Sequence, residues 1–345
     1  MKNYIKLVIM AVGVFLTGHV FSQSPLRTVV DMKMPNGSRY TGTVNAETGA
    51  LQGFGTMKYS KKYIKSKRKE GLEKNQIIAE YHGNWNSDMK QGIGFAIMAD
   101  KSMQFGRYRN GVFSQPTDAD YEIGDAVYGI DLSHWRENID WDNLALYCDR
   151  KGNVYSGQPA DKSCMQPVFF IYLKASEGAR MQDKTYLPYS LEAEARGIAH
   201  GAYHYLRSGS SAEQQAENFL SIVKWKKGDL PPALDIEENA EIEALGEKAY
   251  LDMALKWLKI VEKKLKVRPI IYVNETIRKK YLQGDKRFKK YQFWIPRYRK
   301  AGPENPDWDI WQFTQKGQIS GHKGNMDINL FDGNYKKFRK FIKRK

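Results

Sequence analysis

The sequence has 345 residues, of which 41% are hydrophobic and 13% aromatic, and its formal net charge is +16 at neutral pH. This composition excludes a disordered chain, because enough apolar side chains are present to build a sizeable core. The length allows two domains, or one large barrel with an appended smaller unit.

The first 22 residues have the pattern of a secretory signal peptide. Lys2 and Lys6 precede a short apolar run over residues 7–16, and Ser22 provides a small residue before the expected cleavage point. The apolar run is too short for a comfortable membrane span, although an uncleaved anchor is the alternative. We therefore expect an exported protein, periplasmic or secreted after cleavage of the signal peptide.

The positive charge is concentrated in residues 61–69 and 336–345. For an exported protein, anionic cell-wall polymers or lipid headgroups suit such a surface better than nucleic acid, which we do not expect as a partner. A solvated surface without a specific partner is the alternative reading. Phe338 and Phe341 interrupt the second run, which predicts a last helix packing one side onto the body of the protein.

A weak repeat of glycine and aromatic residues covers residues 24–115. Tyr-x-Gly is followed by Gly-x-Gly at residues 40–55 and again at 81–94, and a third unit begins at Phe105. Each unit predicts a short β-hairpin with aromatic side chains on its buried face. The pattern resembles the MORN repeat, which implies a small all-β hairpin stack and a contact with protein or lipid. A plain structural role is the alternative, and residues 116–126 are expected to be a linker.

From residue 127 to the C terminus, short apolar runs alternate with helical patterns, as in βα units around a parallel sheet. We predict an α/β fold, a (β/α) barrel whose last third is irregular. The predicted strands are 127–131, 168–175, 199–206, 232–237, 269–274, 292–297, 309–313 and 324–328. The predicted helices are 141–147, 187–196, 211–225 and 244–266, and Ser211 with Gln214 predicts a capping box at the third helix.

Cys148 and Cys164 flank a segment rich in Gly, Ser and Pro that is expected to be a loop. In an oxidising compartment one disulfide across this loop is reasonable. Two independent buried thiols are the alternative.

Two acids, Asp235 and Glu237, end the fourth predicted strand. Side chains alternate along a strand, so both carboxylates lie on one side of the backbone, with their Cα atoms roughly 6.5–7 Å apart. One protonated and one charged carboxyl group are the requirement for cleaving a glycosidic bond. Capping of the following helix, or an ion pair with a neighbouring arginine, is the alternative.

Other polar and aromatic residues also follow predicted strands, where a barrel places its reactive groups. They are Asp131, His134, Glu177, Tyr203, His204, Tyr205, Tyr272, Asn274, Trp294, Gln312, Asp327 and Asn329. An acidic groove lined by aromatic rings suits a neutral sugar chain, since rings stack on apolar sugar faces and carboxylates accept hydrogen bonds from hydroxyls.

Seven segments in order resemble glycoside hydrolase family 25, the Chalaropsis-type lysozymes. They are Gly129-Ile130-Asp131-Leu132-Ser133-His134-Trp135, Lys174-Ala175-Ser176-Glu177-Gly178, Gly201-Ala202-Tyr203-His204-Tyr205, Leu234-Asp235-Ile236-Glu237, Ile271-Tyr272, Trp311-Gln312-Phe313 and Asp327-Ile328-Asn329. The resemblance implies a flattened β/α barrel that cleaves the β-1,4 bond between N-acetylmuramic acid and N-acetylglucosamine in peptidoglycan. The longer segment from Cys148 to Cys164 departs from the family pattern.

The resemblance assigns the catalytic roles to Glu237 and Asp235, with Asp131 and Asp327 as supporting acids. Glu237 is expected to protonate the glycosidic oxygen. Asp235 is expected to stay charged, and either to stabilise the oxocarbenium-like centre or to orient the N-acetyl group of the sugar as an internal nucleophile. The sugar contacts are expected at Glu177, Tyr203, Tyr205, Tyr272, Trp294 and Gln312, and buried packing is the alternative for Tyr203 and Trp294.

Other enzyme classes fit poorly, because the sequence has neither a zincin pair of histidines nor a Gly-x-Ser-x-Gly elbow. We therefore expect neither a metal nor a cofactor. The alternatives to a peptidoglycan hydrolase are a non-catalytic protein that binds cell-wall glycan, a chitinase-like glycosidase, and a scaffold built on the N-terminal repeats.

Overall fold

The computed structural model describes residues 25–114, 125–304 and 308–342. The predicted signal peptide, most of the predicted linker and the last three residues of the basic C-terminal run lie outside these ranges. Within the described part of the chain, no helix is long and apolar enough to cross a membrane.

The N-terminal part is a seven-stranded antiparallel sheet in which each strand pairs with the next along the chain. Its strands are β1 (Leu26–Lys33), β2 (Arg39–Asn45), β3 (Leu51–Lys58), β4 (Ile78–Asn86), β5 (Met89–Met98), β6 (Met103–Arg109) and β7 (Val112–Ser114). Helix α1 (Lys61–Lys69) and a 3₁₀ turn (Lys74–Gln76) connect β3 to β4. The predicted all-β hairpin region is therefore confirmed, whereas its resemblance to MORN repeats stays a prediction.

The repeated glycines are explained by the tyrosine rings that lie over them. Gly83 on β4 pairs with Gly94 on β5. A Cβ atom at either glycine would lie 2.4 Å from the Tyr81 hydroxyl oxygen. Tyr40 covers Gly55 in the same way, with a Cβ distance of 2.2 Å. Each repeat thus needs glycine where a ring from the same sheet approaches the backbone.

The second part is a closed barrel of eight strands. The barrel strands are β8 (Ala126–Leu132), β11 (Phe170–Glu177), β13 (Ala199–Tyr205), β14 (Ala233–Ile236), β15 (Ile270–Val273), β16 (Phe293–Pro296), β17 (Trp308–Gly317) and β19 (Met326–Asn334). All eight predicted strands are present. Neighbouring strands are parallel from β8 through β17, but β19 is antiparallel to both β17 and β8. The barrel is therefore confirmed, and its closing strand departs from the parallel (β/α) arrangement within the last third, which was predicted to be irregular.

Helices cover the outside of the barrel. They are α2 (Tyr186–Ala195), α3 (Ala212–Ile222), α4 (Asn239–Leu245), α5 (Glu247–Leu265), α6 (Glu275–Ile277), which continues as a π-helix (Arg278–Leu282), and α7 (Tyr335–Phe341), with a 3₁₀ turn at Lys286–Phe288. The capping box of Ser211 and Gln214 is present at the start of α3. Helix α5 buries one face, including Trp257, against the strands, as its apolar spacing predicts.

The predicted helix over residues 141–147 is wrong. A 3₁₀ turn (Trp141–Asn143) leads there into strand β9 (Ala145–Tyr147). This strand pairs with β10 (Met165–Gln166) and β18 (Ile319–Ser320) in a small side sheet, so strand pairing overrides the local helical pattern. The remaining short strand, β12 (Met181–Gln182), pairs with the end of β11.

The predicted disulfide is also wrong. Cys148 and Cys164 are both buried, and the described residues contain no disulfide bond. The Cys148 amide donates a hydrogen bond to the Cys164 carbonyl oxygen at 3.1 Å. Backbone pairing between β9 and β10 therefore holds the ends of this loop together without a covalent link.

The N-terminal sheet packs against the beginning of the barrel strands. Phe95 on β5 meets Phe169, just before β11, at a ring distance of 5.5 Å, and Tyr335 of α7 at 6.1 Å. Phe338 and Phe341 of α7 are buried in the same cluster, which confirms the predicted last helix. Because the parallel strands end at the opposite side, this interface leaves their carboxyl ends uncovered.

Truncation of Phe95 tests this shared core. Phe95→Ala should lower the free energy of unfolding by about 3 kcal/mol, because it removes a buried ring and leaves a cavity. Chemical denaturation monitored by circular dichroism measures the loss. Val112→Ala, which is 69% exposed on the same sheet, is the control and should change stability little. Equal effects of the two substitutions would contradict a shared core.

Candidate active site

Four acids meet at the carboxyl ends of the parallel strands. Asp131 lies near the end of β8, Asp235 near the end of β14, and Glu237 directly after β14. Asp327 is instead the second residue of β19, and it pairs in register with Asp131. Since β19 is antiparallel, its beginning reaches the rim that the other strands reach with their ends.

Three of these acids line one cleft with a volume of about 490 Å³. Asp327 does not line it, but borders Asp131 at its edge. The lining residues are Asp131, Ser133, His134, Trp135, Lys174, Glu177, Met181, Tyr203, Tyr205, Arg207, Asp235, Glu237, Glu238, Tyr272 and Trp294. The structure thus brings nearly all predicted site residues together, with Gln312 behind Asp131.

Amide groups hold Asp131 in place. Its Oδ2 accepts hydrogen bonds from Gln312 Nε2 at 2.9 Å and from Asn329 Nδ2 at 2.8 Å. Burial raises the pKa of Asp131 well above its ordinary value, and the neighbouring charges of Asp327 and Glu237 raise it further. Asp131 therefore holds a proton more tightly than an exposed aspartate does.

Asp235 is the most buried of the four acids, with 5% of its surface exposed. Its Oδ1 is buried and has no hydrogen-bond partner among the described residues. Burial raises the pKa of Asp235 well above its ordinary value, with Glu237 adding to the shift and Lys174 opposing it. An unpaired buried carboxylate oxygen can accept a donor that a ligand brings.

Glu237 differs from the other acids, because its side chain is exposed to solvent in the cleft. Partial desolvation by the cleft walls nevertheless raises the pKa of Glu237 above its ordinary value, and the charge of Glu238 adds to the rise. The neighbouring Tyr272 hydroxyl and the charge of Lys174 act in the opposite direction and lower this pKa. A solvent-accessible carboxyl group with raised proton affinity is suited to proton donation.

Asp327 faces the one cation that contacts this edge of the site in the described chain. Arg136 Nη2 donates to Asp327 Oδ2 at 3.4 Å. Burial nevertheless raises the pKa of Asp327 from 3.8 to about 6, with Arg136 opposing and Glu237 adding to the shift. Desolvation thus outweighs the salt bridge at this position.

The aromatic residues form the floor of the cleft. Trp294 is 2% exposed, stacks on Tyr172 at 4.6 Å, and donates its indole N–H to Asn329 Oδ1 at 2.7 Å. Tyr203 and Tyr272 meet the edge of the same indole. Most of the Trp294 surface is therefore used in buried packing, which was the alternative to a sugar contact. The remaining edge of its ring reaches the cleft.

The comparison with known families decides the class. The model of Glycosyl hydrolases family 25 matches residues 130–322, more than half of the chain. The chain belongs to this family. It is a glycoside hydrolase.

Several relatives resemble the same part of the chain. YegX of Escherichia coli strain K12, an uncharacterized protein, is 32% identical over 218 residues, which are 63% of this chain and 73% of YegX. Lysozyme M1 of Streptomyces globisporus is 28% identical over 223 residues, with coverages of 60% and 68%. A solved bacterial lysozyme from Streptomyces coelicolor has a TM-score of 0.53 at 25% identity, and covers 66% of this chain and 99% of its own.

In this family 25 hydrolase, Glu177 lies at the cleft but is engaged by cations. Lys174 Nζ donates to its Oε2 at 2.6 Å, and Arg207 Nε to its Oε1 at 2.8 Å. Arg207 also pairs with Glu241 at 2.8 Å. Both carboxylate oxygens of Glu177 therefore belong to an ion-pair network on the wall of the cleft.

Sequence reasoning missed several residues of the site. Trp135 is 75% exposed beside the cleft, and its ring lies 4.6 Å from the ring of His134. Tyr298 is 47% exposed and donates to Gln312 Oε1 at 2.7 Å. Trp135 ends the first of the seven family-like segments, so the sequence did contain a signal for its place in the site. Tyr298 follows β16 and belongs to no recognised segment. An exposed tryptophan at the edge of a sugar-binding cleft can stack on a sugar ring.

Neutralising Asp327 should stabilise the protein at neutral pH. The stability contributed by protonation of a group with a raised pKa is present at low pH, and is lost as the pH rises through about 6. Asp327→Asn avoids this loss, so its unfolding free energy should exceed that of the wild type by about 2–3 kcal/mol more at pH 7.5 than at pH 4.

Chemical denaturation at the two pH values measures the difference. Asp332→Asn, a surface acid on the same strand that pairs with Lys337, is the matched control. An Asp327→Asn protein that is less stable than wild type at neutral pH would show that the pair with Arg136 outweighs burial.

Proposed function

We propose that this protein is an exported muramidase that cleaves the β-1,4 bond between N-acetylmuramic acid and N-acetylglucosamine in peptidoglycan. The observation that carries the proposal is the cluster of Asp131, Asp235, Glu237 and Asp327 at one rim, with raised pKa values. Relatives named as lysozymes support the choice of substrate. Export rests on the signal-like pattern of residues 1–22.

Glu237 acts as the general acid in this proposal. Its side chain is accessible from the cleft, and burial raises its pKa above the ordinary value, which favours its role as a proton donor. As the glycosidic bond breaks, Glu237 gives this proton to the departing oxygen. The carboxylate that forms is then stabilised by the Tyr272 hydroxyl and the charge of Lys174.

Asp235 assists from the buried side. Its unpartnered Oδ1 can accept the N–H of the sugar's acetamido group, which orients the acetamido oxygen toward the anomeric carbon. The alternative role for Asp235 is direct: its negative charge stabilises the oxocarbenium-like centre of the transition state. Asp131, fixed by Gln312 and Asn329, raises the pKa of Asp235, and Asp327 lies close enough to Glu237 for the charge of Glu237 to raise the pKa of Asp327.

The sugar contacts are assigned to the aromatic rings around the acids. Tyr203, Tyr205 and Tyr272 line the cleft with the edge of Trp294, and exposed Trp135 extends this surface at one side. Gln312 and Glu177 support the site through their partners Asp131, Lys174 and Arg207. These acid–base and stacking roles require neither a metal nor a cofactor.

The N-terminal sheet is proposed as a contact surface away from the chemistry. Its helix α1 has no buried residue, and its basic side chains are exposed or half-buried. Such a surface suits an anionic wall polymer or lipid headgroup. The face of the sheet that carries Phe95 packs against the barrel. Binding of a polymer or lipid through α1 would therefore leave the cleft unobstructed.

Two other functions remain testable alternatives. A chitinase-like glycosidase would cleave chitin oligomers in preference to peptidoglycan. A non-catalytic wall-binding protein would bind peptidoglycan without producing new reducing ends. The raised pKa of Glu237 favours catalysis, because a proton donor needs a raised proton affinity, whereas a carboxylate that only binds sugar hydroxyls does not.

Replacement of Glu237 tests the general acid. Glu237→Gln should lower kcat by about a hundredfold to ten-thousandfold with folding preserved, because the amide cannot supply the proton. The assay measures new muramic acid reducing ends released from purified peptidoglycan. Glu238→Gln is the matched control, since this neighbouring acid binds Tyr205 at 2.8 Å and should affect kcat far less.

Reducing ends at glucosamine in place of muramic acid would contradict the assigned bond. Full activity of Glu237→Gln would contradict the assigned acid.

Replacement of Tyr272 tests how the acid is tuned. The Tyr272 hydroxyl lowers the pKa of Glu237, so Tyr272→Phe should raise that pKa. Because activity requires protonated Glu237, the alkaline limb of kcat/KM against pH should move to higher pH.

Tyr298→Phe is the control, because Tyr298 and Tyr272 both donate to Gln312 Oε1, at 2.7 and 3.0 Å. It also removes a hydroxyl from the Gln312 network but leaves the Tyr272 hydroxyl beside Glu237 in place. A shift of the alkaline limb to lower pH in Tyr272→Phe would contradict the assignment.

A further inference from the structure

A second cavity, of about 760 Å³, lies beside the catalytic cleft. One wall is the loop after β8, and the other is the segment that contains β18. Its lining residues are Glu137, Asn138, Asp140, Tyr147, Lys162, Gln318, Ile319, Ser320, Gly321, His322, Lys323 and Gly324. Lys162 comes from the long segment after β9 that departs from the family pattern.

Arg136 connects the two cavities. It stands in the chain between Trp135, which lines the catalytic cleft, and Glu137, which lines the second cavity. Its Nη2 binds Asp327 at 3.4 Å, while its Nε is buried without a hydrogen-bond partner among the described residues. The backbone hydrogen bond from Asp140 N to Gly321 O, at 2.7 Å, fixes the two walls to each other.

The acids of the second cavity are already engaged. Glu137 forms an ion pair with Lys184. Asp140 accepts hydrogen bonds from the amides of Asp142 and Asn143, at 3.2 and 3.3 Å, and caps the following turn. Lys184 therefore offsets the charge of Glu137, whereas Asp140 keeps its negative charge, so the lining carries two ammonium groups against one carboxylate without a cationic partner among the described residues.

The cations lack such partners. Neither Lys162 nor Lys323 forms an ion pair with a carboxylate in the described part of the chain, and Lys162 lies 5.4 Å from the centre of the Tyr147 ring. His322 Nδ1 is buried and has no hydrogen-bond partner there. The cavity thus offers two ammonium groups and an imidazole nitrogen to an incoming ligand.

Its lining differs from that of the catalytic cleft. Five aromatic residues line the cleft, but only Tyr147 lines the second cavity among the described residues. Sugar rings favour aromatic faces, whereas carboxylates favour ammonium groups and amides. Amide side chains are supplied by Asn138 and Gln318. The lining is therefore suited to an acidic peptide and not to further sugar rings.

We propose that this second cavity binds the acidic peptide carried by the lactyl group of N-acetylmuramic acid. The proposal rests on the muramidase function above, because that reaction places a peptide-bearing sugar in the cleft beside Asp327 and Arg136. Lys162 and Lys323 bind the peptide carboxylates, and Asn138 and Gln318 bind its amide groups. The enzyme thereby prefers glycan strands that still carry their peptides.

The test compares kcat/KM on intact peptidoglycan strands with kcat/KM on the same strands after an amidase has removed the peptides. A third substrate carries peptides whose carboxylates have been converted to amides. The wild type should prefer the intact strands to both other substrates by about fivefold to tenfold, as expected for two partly exposed charge pairs.

The double variant Lys162→Gln/Lys323→Gln should lose this preference and cleave the stripped strands at the wild-type rate. Lys248→Gln/Lys256→Gln on α5 is the control and should retain the preference, because these lysines pair with Asp252 and Glu213 on the outer surface. Equal wild-type kcat/KM on intact and stripped strands would overturn the peptide site alone. Failure to cleave either substrate would overturn the muramidase proposal, and the peptide site with it.

Discussion

The acidic rim of the barrel depends on the antiparallel pairing of β19 with β8. This pairing sets Asp327 opposite Asp131, and Asn329, two residues further along, opposite Gly129. Asn329 then reaches both Asp131 and Trp294 through hydrogen bonds. A shift of one residue in this register would turn all of these side chains to the other face of the sheet. The closing strand therefore both completes the barrel and fixes the acids of the site.

Bringing these acids together costs stability, because each carboxyl group is desolvated and repelled by its neighbours. Arg136 and Lys174 offset part of this cost at Asp327 and Asp235, yet both pKa values stay raised. Packing at the other end of the barrel compensates for this loss of stability, because the N-terminal sheet and α7 bury Phe95 and Phe338 there. The acidic cleft and the packed interface with the N-terminal sheet thus lie at opposite ends of the barrel, and barrel enzymes place their active sites at the strand carboxyl ends.

Much of this arrangement could be predicted from the sequence. The apolar runs gave the eight strands, and the alternation of Asp235 and Glu237 placed both acids on one face. The direction of β19 could not be predicted, because side chains alternate with the same period in parallel and antiparallel strands. Asp327 was expected to end a strand, whereas it begins one. Residues 145–147 form strand β9 and not the predicted helix, because they pair with β10 and β18. These partner strands are distant in the sequence, so a local pattern does not reveal the pairing.

The partners of individual side chains could not be predicted where the contacts join residues that are distant in the sequence. Lys174 stands three residues from Glu177 and could have suggested an ion pair, but Arg207 approaches from another strand end. The link between Arg136 and Asp327 spans 191 residues. Cys148 and Cys164 were placed near each other correctly, yet backbone hydrogen bonds hold the loop without a disulfide. The positions of single residues at the rim were thus more predictable than the partners of those residues.

The central claim is that desolvation and neighbouring carboxylates raise the pKa values of both Glu237 and Asp235 above their ordinary values. The most direct measurement is a pH titration of the protein labelled with ¹³C at its carboxyl carbons, followed by NMR, with Glu237→Gln and Asp235→Asn used to assign the two signals. The account predicts that both groups titrate above their ordinary pKa values and that each substitution shifts the titration of the other acid. Independent titration of Glu237 and Asp235 at or below their ordinary pKa values would contradict it.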